Sequence, residues 1–194
     1  MQTTRAAELT LIRHAPVVPD GRVYGRRDLA ADCNDRAMFD ALRAQVPVPG
    51  RLIHSPALRC VQTLSALWPG SAATPCPALR EQDFGAWEGL CYTDLPDLGP
   101  LPRQELCDHR PPGGESFADL CARAAPALEE LARAGPATIV AHAGTIRAAL
   151  ALALGAVSGA LAFEIAPLSV TRIACLPDGN FIIREVNACA APAR

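Results

Sequence analysis

Arg13 and His14 close the apolar run Leu9-Thr10-Leu11-Ile12, so a buried strand there would carry a guanidinium and an imidazole to one edge of a sheet. Three later segments hold groups that could work with them: Ser55-Pro56-Ala57-Leu58-Arg59, Leu79-Arg80-Glu81 and Ala141-His142-Ala143-Gly144. The chemistry these side chains suit is phosphoryl transfer. A phosphoryl group spreads its charge over its equatorial oxygens and needs fixed cations, and a guanidinium stays protonated and offers a bidentate fork. Arg13 and Arg59 are the candidate clamp. His14 is the candidate nucleophile, because an imidazole that attacks phosphorus splits one hard displacement into two easier ones. It must be neutral at the attacking nitrogen, with the other ring nitrogen held by a hydrogen bond, commonly to a backbone carbonyl. His142 is read as a donor to the transferring oxygens. One carboxyl can protonate the leaving alkoxide and then deprotonate the attacking water. Glu81 fits that task, and Glu88 is the nearby competitor. His54 and His109 match no step and are read as packing or solvated residues.

Positioning these groups takes a sheet. Residues 8–13 read as a strand, followed by a loop from Pro16 to Ala31 rich in proline, glycine and arginine. Apolar positions at Ala37, Met38, Ala41, Leu42 and Val46 give helical spacing over residues 34–45. A short strand at 51–54 leads into a helix that starts around Pro56 and runs to about Trp68, and residues 73–76 form a further short strand. Glu115 to Ala134 has an amphipathic helical pattern that Pro126 should bend. Residues 137–141 are apolar throughout, as in the centre of a parallel sheet, and a helix follows from Thr145 to Leu154. Strands at 168–176 and 180–187 are joined by Pro177-Asp178-Gly179-Asn180, a hairpin turn signal. Strand-helix alternation with an antiparallel end predicts a three-layer α/β/α sandwich on a mixed, mostly parallel sheet. One domain is expected over residues 1–194, with a lid insertion at about 84–114 that carries short helices near 92–95 and 102–108. Ligands of such sheets bind outside the C-terminal strand ends, where His14, Ser55, Arg59 and His142 all fall.

Composition narrows the partners. All 18 Lys+Arg positions are arginine, and the net charge of −2 is spread along the chain. No basic patch for nucleic acid or an anionic membrane results, whereas a small anion in a local pocket fits. The longest apolar stretch, Ala148 to Ala162, is too short to span a membrane and is interrupted by Gly155, Ser158 and Gly159. The N-terminus lacks the apolar core of a signal peptide, so a cytoplasmic location is expected. The 8 cysteines show neither C-x-x-C nor zinc-ligand spacing, and they read as reduced thiols serving as small apolar side chains.

The four motifs, in order, resemble those of the histidine phosphatase superfamily, the phosphoglycerate mutase-like fold: Arg13-His14, the stretch Ser55 to Thr63, Leu79-Arg80-Glu81-Gln82-Asp83-Phe84-Gly85-Ala86-Trp87-Glu88-Gly89, and His142-Ala143-Gly144-Thr145-Ile146-Arg147. The resemblance implies a phosphorylated His14, a phosphate pocket of Arg13, Arg59 and His142, Glu81 as proton donor and acceptor, and neither metal nor cofactor. It departs from the family at Ala15, where the usual residue is glycine. Tyr24-Gly25-Arg26-Arg27-Asp28-Leu29 and Pro111-Pro112-Gly113-Gly114-Glu115-Ser116 look like segments of alpha-ribazole phosphatases, which makes Arg22, Tyr24, Arg26 and Thr145 candidate substrate contacts. The implied activity is hydrolysis of a small-molecule phosphate monoester, with alpha-ribazole 5′-phosphate the best single substrate. A phosphoglycerate mutase, a broad sugar-phosphate phosphatase and a silent phospho-ligand binder are the alternatives. Monomer and homodimer both remain open.

Overall fold

The computed structural model describes residues 6–17, 21–46 and 50–191. Residues 18–20 of the loop read between Pro16 and Ala31 therefore lie outside the described residues, as do both ends of the 1–194 span. Along the chain run β1 (Ala7–Arg13), α1 (Arg36–Gln45), β2 (Leu52–His54), α2 (Leu58–Leu67), β3 (Thr74–Pro75), α3 (Arg103–Asp108), α4 (Phe117–Arg133), β4 (Ala137–Ala141), α5 (Ala143–Leu154), α6 (Val157–Ala160), β5 (Val170–Cys175) and β6 (Phe181–Ala188). The strands form one sheet in the order β3-β2-β4-β1-β5-β6. Neighbours from β3 to β1 are parallel, and β5 and β6 join antiparallel at the other edge.

Both faces of the sheet are covered, which explains why β4 is buried at all five of its positions. On one side Leu9, Leu11, Ile139 and Ile173 pack with Leu120, Ala124 and Leu128 of α4 and Ile146 and Leu150 of α5. On the other, Ile12, Leu52, Val140 and Val170 meet Phe39 and Leu42 of α1 and Cys60, Leu64 and Leu67 of α2. The result is the three-layer α/β/α arrangement with a mixed sheet. α4 opens with a capping box, in which Ser116 Oγ accepts from the Asp119 N–H and Asp119 accepts from the Ser116 N–H. It continues through Pro126 without a break. α5 begins two residues before the predicted Thr145, because His142 already stands in extended backbone as its N-cap.

Between Gly85 and Pro112 regular structure is sparse. Two short 3-10 turns, Gly85–Trp87 and Tyr92–Asp94, precede α3. Trp87 stacks on His109 with ring centroids 5.2 Å apart. Cys60, Cys107 and Cys121 are buried free thiols within the two apolar layers.

Candidate active site

Register decides what meets at the strand ends. Arg13 pairs with Ala141 and His54 with Val140 across the parallel ladder, so the next residues, His14, Ser55 and His142, stand side by side just past the C-terminal edge. The ladder continues into them, with His14 N–H donating to the Ala141 carbonyl at 2.9 Å and Ser55 N–H to the Val140 carbonyl at 3.0 Å.

His14 is buried. Its Nδ1 lies 2.7 Å from the Ala15 carbonyl. A carbonyl can only accept, so Nδ1 carries the proton and Nε2 keeps its lone pair. Burial, reinforced by the charges of Arg59 and Arg13 and opposed by the Ala15 hydrogen bond, pushes its pKa down to about 3. The ring is thus neutral at ordinary pH, as nucleophilic attack requires. Ala15 causes no strain. Its side chain is fully buried beside Ile12 and Phe39, and the described non-glycine residues with positive φ are Leu168 and Asn187. The Ala15 N–H donates to Thr63 Oγ1 at 2.9 Å, and that hydroxyl donates to the Arg59 carbonyl at 2.7 Å. Thr63 thereby ties the nucleophile loop to α2.

Arg59 reaches into the site from the first turn of α2 and is 2% exposed. Its Nε–H donates to His142 Nδ1 at 3.2 Å, Nη1 to the Arg27 carbonyl at 2.9 Å and Nη2 to the Gly25 carbonyl at 2.8 Å. A guanidinium has five N–H groups, so one remains on each terminal nitrogen for an anion. Because His142 Nδ1 must accept from Arg59, its proton sits on Nε2, which lies 2.8 Å from Ser55 Oγ. The two histidines therefore hold opposite tautomers, with ring centroids 5.2 Å apart and an interplanar angle of 68°. Burial and then the Arg59 charge hold His142 well below the ordinary histidine pKa. Both of its ring nitrogens are engaged by protein here. In this geometry His142 orients Arg59, and donation to a phosphoryl oxygen requires its Nε2–H to leave Ser55.

Arg13 is only partly buried. Its Nη1 donates to the Ile165 carbonyl at 2.6 Å, while its Nε is buried with no partner among the described residues. Burial lowers its pKa, and Glu81 acts in the opposite direction. Glu81 follows the 3-10 turn Pro77–Leu79. Its Oε2 accepts from the Gly144 N–H at 3.2 Å, at the start of α5, and its Oε1 accepts from the Gln82 N–H at 3.0 Å. The approach is so close that a Cβ on Gly144 would stand 2.1 Å from Glu81 Oε1. Behind it, Arg123 of α4 donates to the Ala78 carbonyl at 2.8 Å and to the Arg80 carbonyl at 3.1 Å, and is itself fixed to Glu115 at 2.9 and 2.8 Å.

Thr145 requires a correction. It is fully buried, and its hydroxyl donates to the Leu79 carbonyl at 3.0 Å. It braces the Glu81 segment and does not line a substrate opening. Glu88 stands apart from the proton-transfer position: its carboxylate accepts from the N–H groups of Gly25, Arg26, Arg27 and Phe84. With Arg59 gripping the carbonyls of that same loop, residues 25–27 are clamped from two sides. A Cβ on Gly25 would lie 1.7 Å from the Gln82 carbonyl, so only glycine fits there. Arg22 and Arg26 are exposed and Tyr24 half-buried. Arg22 Nη1 donates to the Gly89 carbonyl at 2.8 Å, and Arg26 lies 3.8 Å from Asp83 and 3.6 Å from Glu115. Sequence reasoning gave no role to Thr63, Ser55 Oγ or Arg123. The first two lie inside a quoted motif, whereas Arg123 sits mid-helix with no local signal.

The model of the histidine phosphatase superfamily (branch 1) matches residues 9–188. A 6-phosphofructo-2-kinase/fructose-2,6-bisphosphatase of Caenorhabditis elegans is 35% identical over 144 residues, covering 71% of this chain and 29% of that protein. Among solved structures, a mycobacterial glucosyl-3-phosphoglycerate phosphatase in complex with VO3 is similar at a TM-score of 0.80 with 25% identity, covering 94% of this chain and 100% of the other. The alpha-ribazole phosphatase of Shigella flexneri shares the fold at a TM-score of 0.79 with 19% identity, covering 96% and 99% of the two chains. The chain spans about a third of the length of the curated relatives it matches.

Proposed function

The chain belongs to the histidine phosphatase superfamily, and on that footing we propose that it is a phosphomonoesterase working through a phosphohistidine at His14. The observation that carries this reading is the His14 tautomer: the Nδ1 proton is given to the Ala15 carbonyl, which leaves Nε2 as a neutral nucleophile between Arg13 and Arg59. A phosphoryl group entering there meets the Arg13 guanidinium and the two uncommitted N–H groups of Arg59. The His14 Nε2 lone pair attacks phosphorus as the bond to the leaving oxygen breaks. Glu81, protonated at this stage, gives its proton to that oxygen and the alcohol departs. Water then gives a proton to the Glu81 carboxylate and attacks phosphorus, the P–Nε2 bond breaks, and inorganic phosphate leaves. His142 keeps Arg59 aimed throughout, and exchange of its Nε2–H from Ser55 to a phosphoryl oxygen would add a donor in the transition state.

Residues 84–114 act in this reading as a lid over a small-molecule ester met in the cytoplasm. Supporting that role, Glu88 binds the 25–27 loop at the pocket rim, and Tyr92 lies near enough to Arg13 to favour its charged form. Substrate candidates are alpha-ribazole 5′-phosphate, favoured by the loop Tyr24 to Leu29, together with the glucosyl-3-phosphoglycerate and fructose 2,6-bisphosphate named for the relatives. A panel of these esters assayed with wild type and His14→Ala tests the proposal. Phosphate release by the wild type alone supports it, and equal rates in the variant would sink it. Product analysis with 3-phosphoglycerate separates hydrolysis from mutase activity.

A further inference from the structure

Arg13 is aimed with less support than Arg59. Whereas the Arg59 side chain donates to three acceptors, the Arg13 guanidinium makes one hydrogen bond among the described residues, from Nη1 to the Ile165 carbonyl at 2.6 Å. The direction of its charge therefore depends on how firmly that carbonyl is held. The other end of the same peptide group supplies the hold: the Ala166 N–H donates to Asn187 Oδ1, also at 2.6 Å. In a planar trans peptide the carbonyl and the N–H point opposite ways, so one rigid group receives Arg13 on one side and is fixed by Asn187 on the other.

An irregularity of the sheet places Asn187 there. Opposite Val170 and Arg172 of β5 stand Ala188 and Glu185 of β6, so β6 carries one extra residue between these pairs. A bulge of this kind re-aims a side chain. Asn187 sits in it at φ +56°, in the left-handed region that asparagine tolerates better than most residues. Its N–H donates to Thr171 Oγ1 at 3.2 Å, and Thr171 is fully buried opposite Leu11 of β1. Leu168, the other described non-glycine residue with positive φ, at +57°, belongs to the same support. The Ser169 N–H donates to the Ala166 carbonyl at 3.2 Å and closes a turn with Pro167 and Leu168 at its centre. Proline followed by a positive φ is the type II pattern, in which the second place ordinarily takes glycine. From that turn the Leu168 N–H donates to the Arg13 carbonyl at 3.1 Å, and the Ser169 carbonyl accepts from the Arg13 N–H at 3.2 Å. Both unusual backbone positions thus bear on Arg13, and such strain persists only where the surroundings impose it.

We propose that Asn187 is a positioning residue for the phosphate clamp: through the Ile165–Ala166 peptide it fixes the direction of the Arg13 guanidinium. This rests on the phosphatase reading and deepens it, adding a residue of the edge strand that acts through Arg13 and not on the substrate.

Two substitutions separate the side chain from its backbone. Asn187→Gly keeps the left-handed conformation and deletes the acceptor, whereas Asn187→Asp keeps an oxygen for the Ala166 N–H. Asn187→Gly should lower kcat/KM for p-nitrophenyl phosphate by about tenfold and raise the Ki of inorganic phosphate severalfold, because the guanidinium is no longer held in place. Asn187→Asp should restore most of both. Coupling is the decisive readout. Arg13→Gln has no guanidinium left to aim, so adding Asn187→Gly should cost it less than about twofold, while in Arg59→Gln the same addition should cost the full factor. Thr171→Val strips the acceptor from the Asn187 N–H and carries the comparison if Asn187→Gly does not fold. Unchanged kinetics in Asn187→Gly, or an equal loss in the wild-type and Arg13→Gln backgrounds, overturns the positioning role alone. Failure of wild type to hydrolyse p-nitrophenyl phosphate overturns the phosphatase reading and the positioning role with it.

Discussion

Replacing Gly144 with alanine isolates the job assigned to Glu81. The new Cβ would stand 2.1 Å from Glu81 Oε1 and 2.8 Å from Leu120 Cδ2. Ordinary van der Waals contact begins near 3.4 Å, so the carboxylate must retreat by about 1 Å or more, and its bond from the Gly144 N–H is stretched or lost. A displacement of that size in a proton-transferring group costs about 10²-fold in rate. Backbone conformation does not oppose the change, since Gly144 is not in the left-handed region and alanine is the better helix former by up to ~1 kcal/mol. Leu120 offers a flexible side-chain end. The melting temperature should therefore stay within about 5 °C of wild type while kcat for alkyl phosphates falls about 10- to 100-fold. Leaving group should matter. Nitrophenolate departs without a proton, so phosphorylation of His14 by p-nitrophenyl phosphate stays fast while hydrolysis of the phosphoenzyme, which needs Glu81 as base, slows. Rapid mixing should then show a burst of about one nitrophenol per active site followed by a slow steady state. An unchanged kcat for alkyl phosphates with no burst would refute the proton-transfer role of Glu81.

Two further outcomes follow from the packing around the nucleophile. His14 has its pKa pushed down to about 3, below the ordinary histidine value of about 6.5, so between these values the unfolded chain binds more protons than the folded one. Stability is therefore fully present above about pH 6.5 and is lost as pH falls, by about 2 kcal/mol from His14 at pH 5, and His142 adds loss of the same sign. Urea unfolding at pH 7 and pH 5 should show this loss, and His14→Gln should lessen it; an identical loss in the variant would contradict the burial account. Thr63→Val keeps the shape but strips the acceptor from the Ala15 N–H, so denaturation should report about 1–3 kcal/mol of lost stability, with kcat reduced as the nucleophile loop loosens.

Much of the site was legible because strand ends in a parallel sheet are predictable from apolar runs. Leu9 to Ile12 and Ala137 to Ala141 are recognisable from composition, and once they lie side by side His14 and His142 must be neighbours. The hairpin at Asp178-Gly179 was equally local, with the Asn180 N–H donating to Asp178 Oδ1 at 3.0 Å and Gly179 at φ +86°. Thr145 was misread for the converse reason. Its place after the His142 motif suggested a substrate contact, yet its partner is the Leu79 carbonyl, 66 residues away in sequence. Arg123 escaped notice likewise, since its hydrogen bonds to residues 78 and 80 are made across the fold. The tautomers of the two histidines depend on which atoms face Nδ1, and only coordinates supply that.

The central claim is covalent chemistry at His14 Nε2. Rapid acid-free quenching of wild type and Glu81→Gln during turnover of a phosphate monoester, followed by peptide mass spectrometry, tests it directly. A single acid-labile phosphoryl group should appear on His14, accumulating in Glu81→Gln and missing from His14→Ala. Full turnover with no phosphorylated histidine in either enzyme, or phosphate carried by another residue, would contradict it.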